Sequence, residues 1–91
     1  MLIRSQNKEL LVNFNVSAGI EIEERNTKTV VTSYITGCSY LLGEYSTKAK
    51  AMKVLDMIQE AYERYEYEKV FKTGLTLFDT FQMPEDSEVE V

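Results

Sequence analysis

Ala51, Val54, Leu55, Ile58, Ala61, Tyr62 and Tyr65 recur at spacings of three and four, and no other pattern in the chain limits its folding as sharply. Apolar residues at those intervals line one face of an α-helix. Ser46 or Thr47 supplies the N-cap, because a hydroxyl there accepts from the open N–H groups of the first turn. The spacing predicts a helix that runs to about Tyr65, roughly five turns at 3.6 residues each. Met52 and Met57 fall off the stripe. A helix with one apolar face must lie on another element, and what precedes it has the signature of strands.

Met1 to Arg4 and Leu10 to Phe14 are short apolar runs around the polar turn Ser5-Gln6-Asn7-Lys8-Glu9, which suggests a hairpin. Ile20-Glu21-Ile22-Glu23 alternates apolar and charged residues, as a half-buried strand does. Asn26-Thr27-Lys28 interrupts it, and Thr29 to Ile35, rich in β-branched side chains, is expected to pair back antiparallel. After Gly37 a further strand, Ser39 to Leu42, ends at Gly43. Beyond the helix, Gly74 marks a turn. Leu75, Leu77, Asp79, Phe81 and Met83 stand at alternate positions and predict a closing strand, with a short helical turn as the rival because Phe78 breaks the alternation.

The expected fold is therefore α+β: one curved antiparallel sheet of five to six strands packed against one long helix in the C-terminal half. Residues 1–84 form the single domain, and 85–91 an acidic disordered tail. One helix covers one face of such a sheet. The other face is left for curling, for the C-terminal segment or for a second copy, and a homo-oligomer, dimer or higher, is the expected answer.

Ninety-one residues with 44% apolar side chains can form one small core. The net charge of −5 argues against a general nucleic-acid binder, yet it is unevenly placed. Glu85, Asp86, Glu88 and Glu90 are four of the fifteen acids, and none of the ten basic residues lies among them, so the body balances eleven acids against ten bases. Cys38 is the only cysteine. It allows no intrachain disulfide or Cys-rich metal cluster and is expected to be a small buried hydrophobe. The opening residues lack the apolar stretch of a signal peptide, and no run has the length of a membrane span, so the chain is expected in the cytoplasm of a bacterial host.

Three stretches resemble a group of small uncharacterised proteins of Gram-positive bacteria and their phages. They are Leu2-Ile3-Arg4-Ser5-Gln6-Asn7-Lys8 with Leu11-Val12-Asn13; Leu42-Gly43-Glu44-Tyr45-Ser46-Thr47 leading into the helix stripe; and Phe81-Gln82-Met83-Pro84-Glu85-Asp86. The resemblance spans the chain, with the middle strands and residues 66–80 the least typical. It implies a phage or mobile-element accessory protein and carries over no catalytic residue.

The chain contains no histidine, which removes the usual general base near neutral pH and the commonest transition-metal ligand. Without an imidazole, neither Cys38 nor any serine has the partner of a hydrolase triad or a Cys–His pair. The four glycines stand singly, so no phosphate loop is formed. Glu21, Glu23 and Glu24 offer carboxylates, but their alternation with isoleucine is what the solvent side of any half-exposed strand displays. No catalytic residue, metal or cofactor is assigned.

Lys48, Lys50 and Lys53 crowd the start of the helix, and Glu60, Glu63, Glu66 and Glu68 its end and exit, the reverse of what the macrodipole favours. Lys53 with Asp56 and Glu60 with Arg64 stand at pairing distance along the helix, whereas Lys48 and Lys50 have no such partner. With Ser46 and Thr47 they suggest an anion pocket at the helix N-terminus, aided by Arg4 and capped by Tyr45. The bland alternative is a solvated pair of lysines meeting acids on another strand. Of the six tyrosines, Tyr62 and Tyr65 belong to the helix stripe, leaving Tyr45 and Tyr67 as stacking candidates. Three functions follow as expectations. One is a homo-oligomer sequestering a small anionic, nucleotide-like host signal. Another is an acidic inhibitor occupying the nucleic-acid-binding groove of a host defence nuclease. The third is a structural or regulatory phage component.

Overall fold

Alternation builds two small sheets here, and a computed structural model describes them over residues 1–71 and 80–91. Strands β1 (Leu2–Arg4) and β2 (Leu11–Asn13) form the first hairpin, in register Ile3 to Val12. Lys8 takes a positive φ in its turn, where its N–H donates to the Ser5 carbonyl at 2.9 Å. Strands β3 (Gly19–Arg25), β4 (Lys28–Ile35) and β5 (Cys38–Tyr45) form an antiparallel meander. Both connections are two-residue turns: Asn26 at φ 50° opens one and Gly37 at φ 77° closes the other. Asn and Gly are the residues that reach this region at least cost.

Helix α1 (Lys48–Phe71) follows, and then β6 (Thr80–Gln82). The expected cap forms as foreseen, Thr47 Oγ1 accepting from the Lys50 N–H at 3.2 Å. The apolar stripe is the buried face: Ala51, Val54, Ile58 and Tyr65 are sealed, and Leu55, Ala61 and Tyr62 are half-covered. The helix outlasts its predicted end at Tyr65 and runs to Phe71, since Glu66 to Phe71 hold no glycine or proline to break it. Residues 72–79, where the turn at Gly74 and the first part of the closing strand were expected, lie outside the described residues.

The single curved sheet is corrected to two three-stranded sheets, ordered β2-β1-β6 and β3-β4-β5. Two features produce the split. The long connection through α1 returns the chain along β1 in its own direction, so Ile3 faces Phe81 in a parallel pair. On the other side, β5 meets the first hairpin through residue 6, with no ladder: the Gln6 N–H donates to the Leu42 carbonyl at 2.7 Å. Leu42 is the extra residue of a β-bulge, because Val31 faces Gly43 while Thr32 faces Leu41. The bulge turns Leu42 into the core, where it is 1% exposed, and bends β5 away from further pairing.

The core joins both sheets and the helix through Ile3, Val12, Val31, Leu42, Ala51, Val54 and Ile58. Burying each of the larger aliphatic side chains contributes about 1.5–3 kcal/mol. Met83 and Val89, at 1% and 4% exposure, belong to the same cluster. The acidic segment expected to be a disordered tail therefore begins as a docked strap. Asp86–Glu88 is a 3-10 turn closed by a capping box between Glu85 and Glu88. Its burial comes from Val89, which the surrounding acids hide in a reading by composition. Cys38 is also corrected: it opens β5 directly after the Gly37 turn and is exposed. Among the described residues no helix is long and apolar enough to cross a membrane.

Candidate functional site

The start of α1 is where the sequence placed an anion, and an anion is there. It is the carboxylate of Asp86. Asp86 Oδ1 accepts from the Ser46 backbone N–H at 2.8 Å and from Ser46 Oγ at 3.1 Å. Lys50 Nζ donates to the Asp86 carbonyl at 2.9 Å and lies 3.4 Å from Oδ2. The Ser46 N–H, with help from its hydroxyl and Lys50, holds the Asp86 carboxyl below its ordinary value, against a smaller opposing effect of desolvation.

Tyr45 closes the same corner from β5. It is 1% exposed, and its hydroxyl donates to the Pro84 carbonyl at 2.8 Å. Burial pushes the phenol well above its ordinary range, and the charges of Glu85, Asp86 and Glu88 push in the same direction. A ring so placed packs and anchors the strap, and has no face to offer a ligand. Gln6 completes the arrangement: Nε2 donates to the Glu44 and Pro84 carbonyls, each at 3.1 Å, while Oε1 accepts from the Glu44 N–H at 3.0 Å. The cleft beside these groups, about 350 Å³, has Glu44, Glu85 and Asp86 on its walls against Lys28.

The six residues assigned from sequence thus divide. Ser46, Thr47, Lys50 and Tyr45 meet around the helix start. Lys48 instead reaches Glu24 on β3 at 4.0 Å, an exposed pair, and Arg4 donates from Nε to the Lys8 carbonyl of its own hairpin at 3.0 Å. Among the described residues no hydrogen bond or ion pair joins Arg4 to the helix start. The lysines accordingly do meet acids of this chain, Glu24 and Asp86. The residue that sequence reasoning missed is Asp86. Its signal was the Glu85–Glu88 capping-box spacing behind Pro84 and ahead of an apolar Val89.

A second region lies where α1 crosses the start of β3. Phe14, Ile20, Leu55, Ile58 and Tyr62 line an open apolar groove of about 350 Å³, with Gln59 and Glu63 at its rim. Phe14 and Tyr62 stack with ring centroids 4.8 Å apart. The Tyr62 phenol is raised, chiefly by its hydrogen bond to the Glu66 carboxylate. Glu21 and Glu23 project from the opposite face of β3 and are exposed. No group of three or more metal-ligating side chains occurs among the described residues. No protein-family model, curated protein or solved structure matches the chain.

Proposed function

We propose that this chain is a non-catalytic binding protein, a phage or mobile-element accessory factor of the kind its sequence resemblance implies, acting on a protein partner through its acidic surface. The observation that supports this reading is the contrast between two sites. The expected phosphate seat at the start of α1 already holds the chain's own Asp86. The acids Glu21, Glu23, Glu60 and Glu63 are exposed. A partner with a basic groove, such as a host defence nuclease, meets that surface by charge complementarity.

Co-purification from a bacterial host at rising ionic strength tests this reading. A partner captured through exposed charges is released between low and moderate salt, and its capture survives charge reversal at Lys48 and Lys50. A partner insensitive to reversal of Glu60 and Glu63 together with Glu21 and Glu23 overturns it. Self-association belongs to the same reading and is measured by sedimentation.

One observation favours a second reading, the sequestration of a small anion. The Asp86 contacts are those a phosphate oxygen would make, so a nucleotide could displace the strap. In that case an Asp86→Asn variant shows phosphate-dependent shifts of the Ser46 and Lys50 amides by NMR, and the parent shows weaker ones. Equal silence from both removes it.

A further inference from the structure

Strand β3 is the outer strand of its sheet, so one of its long edges carries no further strand among the described residues. Such an edge displays backbone N–H and C=O groups ready to accept another strand. Most edges are protected by proline, by a bulge or by being short. β3 has seven residues, no proline and an unbroken register with β4 from Gly19 to Arg25. Among the described residues its protection is charge, and that charge is of one sign on its outer face apart from Arg25. Arg25 leans on Glu23 at 3.1 Å, an exposed pair that a competing cation replaces at little cost.

The two faces of β3 ask for different things. Ile20 and Ile22 face α1 and are half-buried, and the groove of Phe14, Leu55, Ile58 and Tyr62 continues from Ile20. A strand laid along the edge would drop alternate side chains into that groove. Its remaining side chains would stand beside Glu21 and Glu23. The groove demands apolar residues, and the opposite face demands basic ones.

We propose that β3 accepts an extended segment of a protein partner in which apolar and basic residues alternate, paired by backbone addition to the sheet edge. This rests on the protein-capture reading above and names the segment captured. A second copy of this chain fits poorly. In every symmetric antiparallel register overlapping most of β3, Glu21 or Glu23 lies directly opposite another glutamate, and like charges so placed repel.

The probes are two short synthetic peptides, one alternating isoleucine with lysine and one alternating isoleucine with glutamate, titrated into the full chain by calorimetry and followed by amide hydrogen exchange. The lysine peptide is expected to bind and to slow exchange in β3, and the glutamate peptide not to bind. The double variant Glu21→Lys, Glu23→Lys, altered only at the surface, is expected to bind the lysine peptide about tenfold more weakly and to gain the glutamate peptide. A Leu55→Arg variant that stays folded is expected to lose the lysine peptide. Equal binding of both peptides by the parent chain, or protection outside β3, overturns the proposal. So does a peptide-free dimer whose β3 amides are already protected. Failure of both peptides while a partner is still captured in the salt experiment sinks strand addition alone. Failure of both experiments sinks the protein-capture reading with it.

Discussion

The start of α1, which follows β5, and the outer edge of β3 belong to the two outer strands of one small sheet and have been finished in opposite ways. At the helix start, the polar groups that could hold a ligand are answered from within the chain: Ser46 and Lys50 by Asp86, Tyr45 by Pro84, the bulge at Leu42 by Gln6. At the β3 edge, among the described residues, a ladder face and an apolar groove stand open behind a row of glutamates. The lesson is that a binding-type composition does not identify a binding site. Lysines and hydroxyls at a helix N-terminus close a fold as readily as they hold a phosphate, and the sequence position of the answering carboxylate decides which.

That contrast can be broken at its closed end first. Met83→Ala removes a side chain that is 1% exposed from the joint between the strap and the core, and about 2–5 kcal/mol of stability is expected to go with it in urea unfolding. Gly43→Ala is next, at about 1–3 kcal/mol. A Cβ there would stand 3.2 Å from the Tyr45 ring and hydroxyl, and Tyr45 cannot yield while it is bonded to Pro84.

Tyr45→Phe keeps the ring and deletes that bond, for a loss of about 1 kcal/mol. It carries a pH signature as well. Because the folded phenol is raised above its ordinary value of 10.0, the parent loses stability as pH climbs past 10, where the unfolded chain ionises first. The variant should show a flatter alkaline limb. Asp86→Asn flattens the opposite limb. The folded carboxyl lies below its ordinary 3.8, so its contribution is complete above that value and is lost as pH falls through the folded one. Parent and variant are expected to converge in acid and separate near neutrality. Last, Glu21→Lys at the open edge should change stability by no more than about 0.5 kcal/mol. A larger loss would mean that the edge is as integrated as the helix start.

Sequence patterns reached the elements well and their assembly less well. The helix stripe, the Thr47 cap, the Asn26 and Gly37 turns and five of the strands follow from local rules, since each is decided by residues close in the chain. The division into two sheets was not legible, because it depends on a bulge at Leu42 and on a parallel pairing between Ile3 and Phe81. Neither leaves a local mark. The strap failed for a different reason. Four acids in seven residues look solvated on average, yet one buried Val89 and one bonded Asp86 suffice to dock the segment. Of the six candidate residues, Tyr45, Ser46, Thr47 and Lys50 lie together at the helix start. What converges on them could be found only by asking which acid had a reason to be near.

The parallel pairing of Leu2–Arg4 with Thr80–Gln82 also sets an order of events during synthesis. The second sheet and its hairpins close from neighbours, so they can form while the chain is still emerging from a ribosome. The first sheet waits with β1 bare along one side until Thr80–Gln82 has been made, and Gln6 waits equally long for Pro84. Contacts of that span are the slow ones in small domains. A nascent chain paused inside α1 would present an incomplete three-residue strand pair to its surroundings, and only the arrival of residue 80 would retire it.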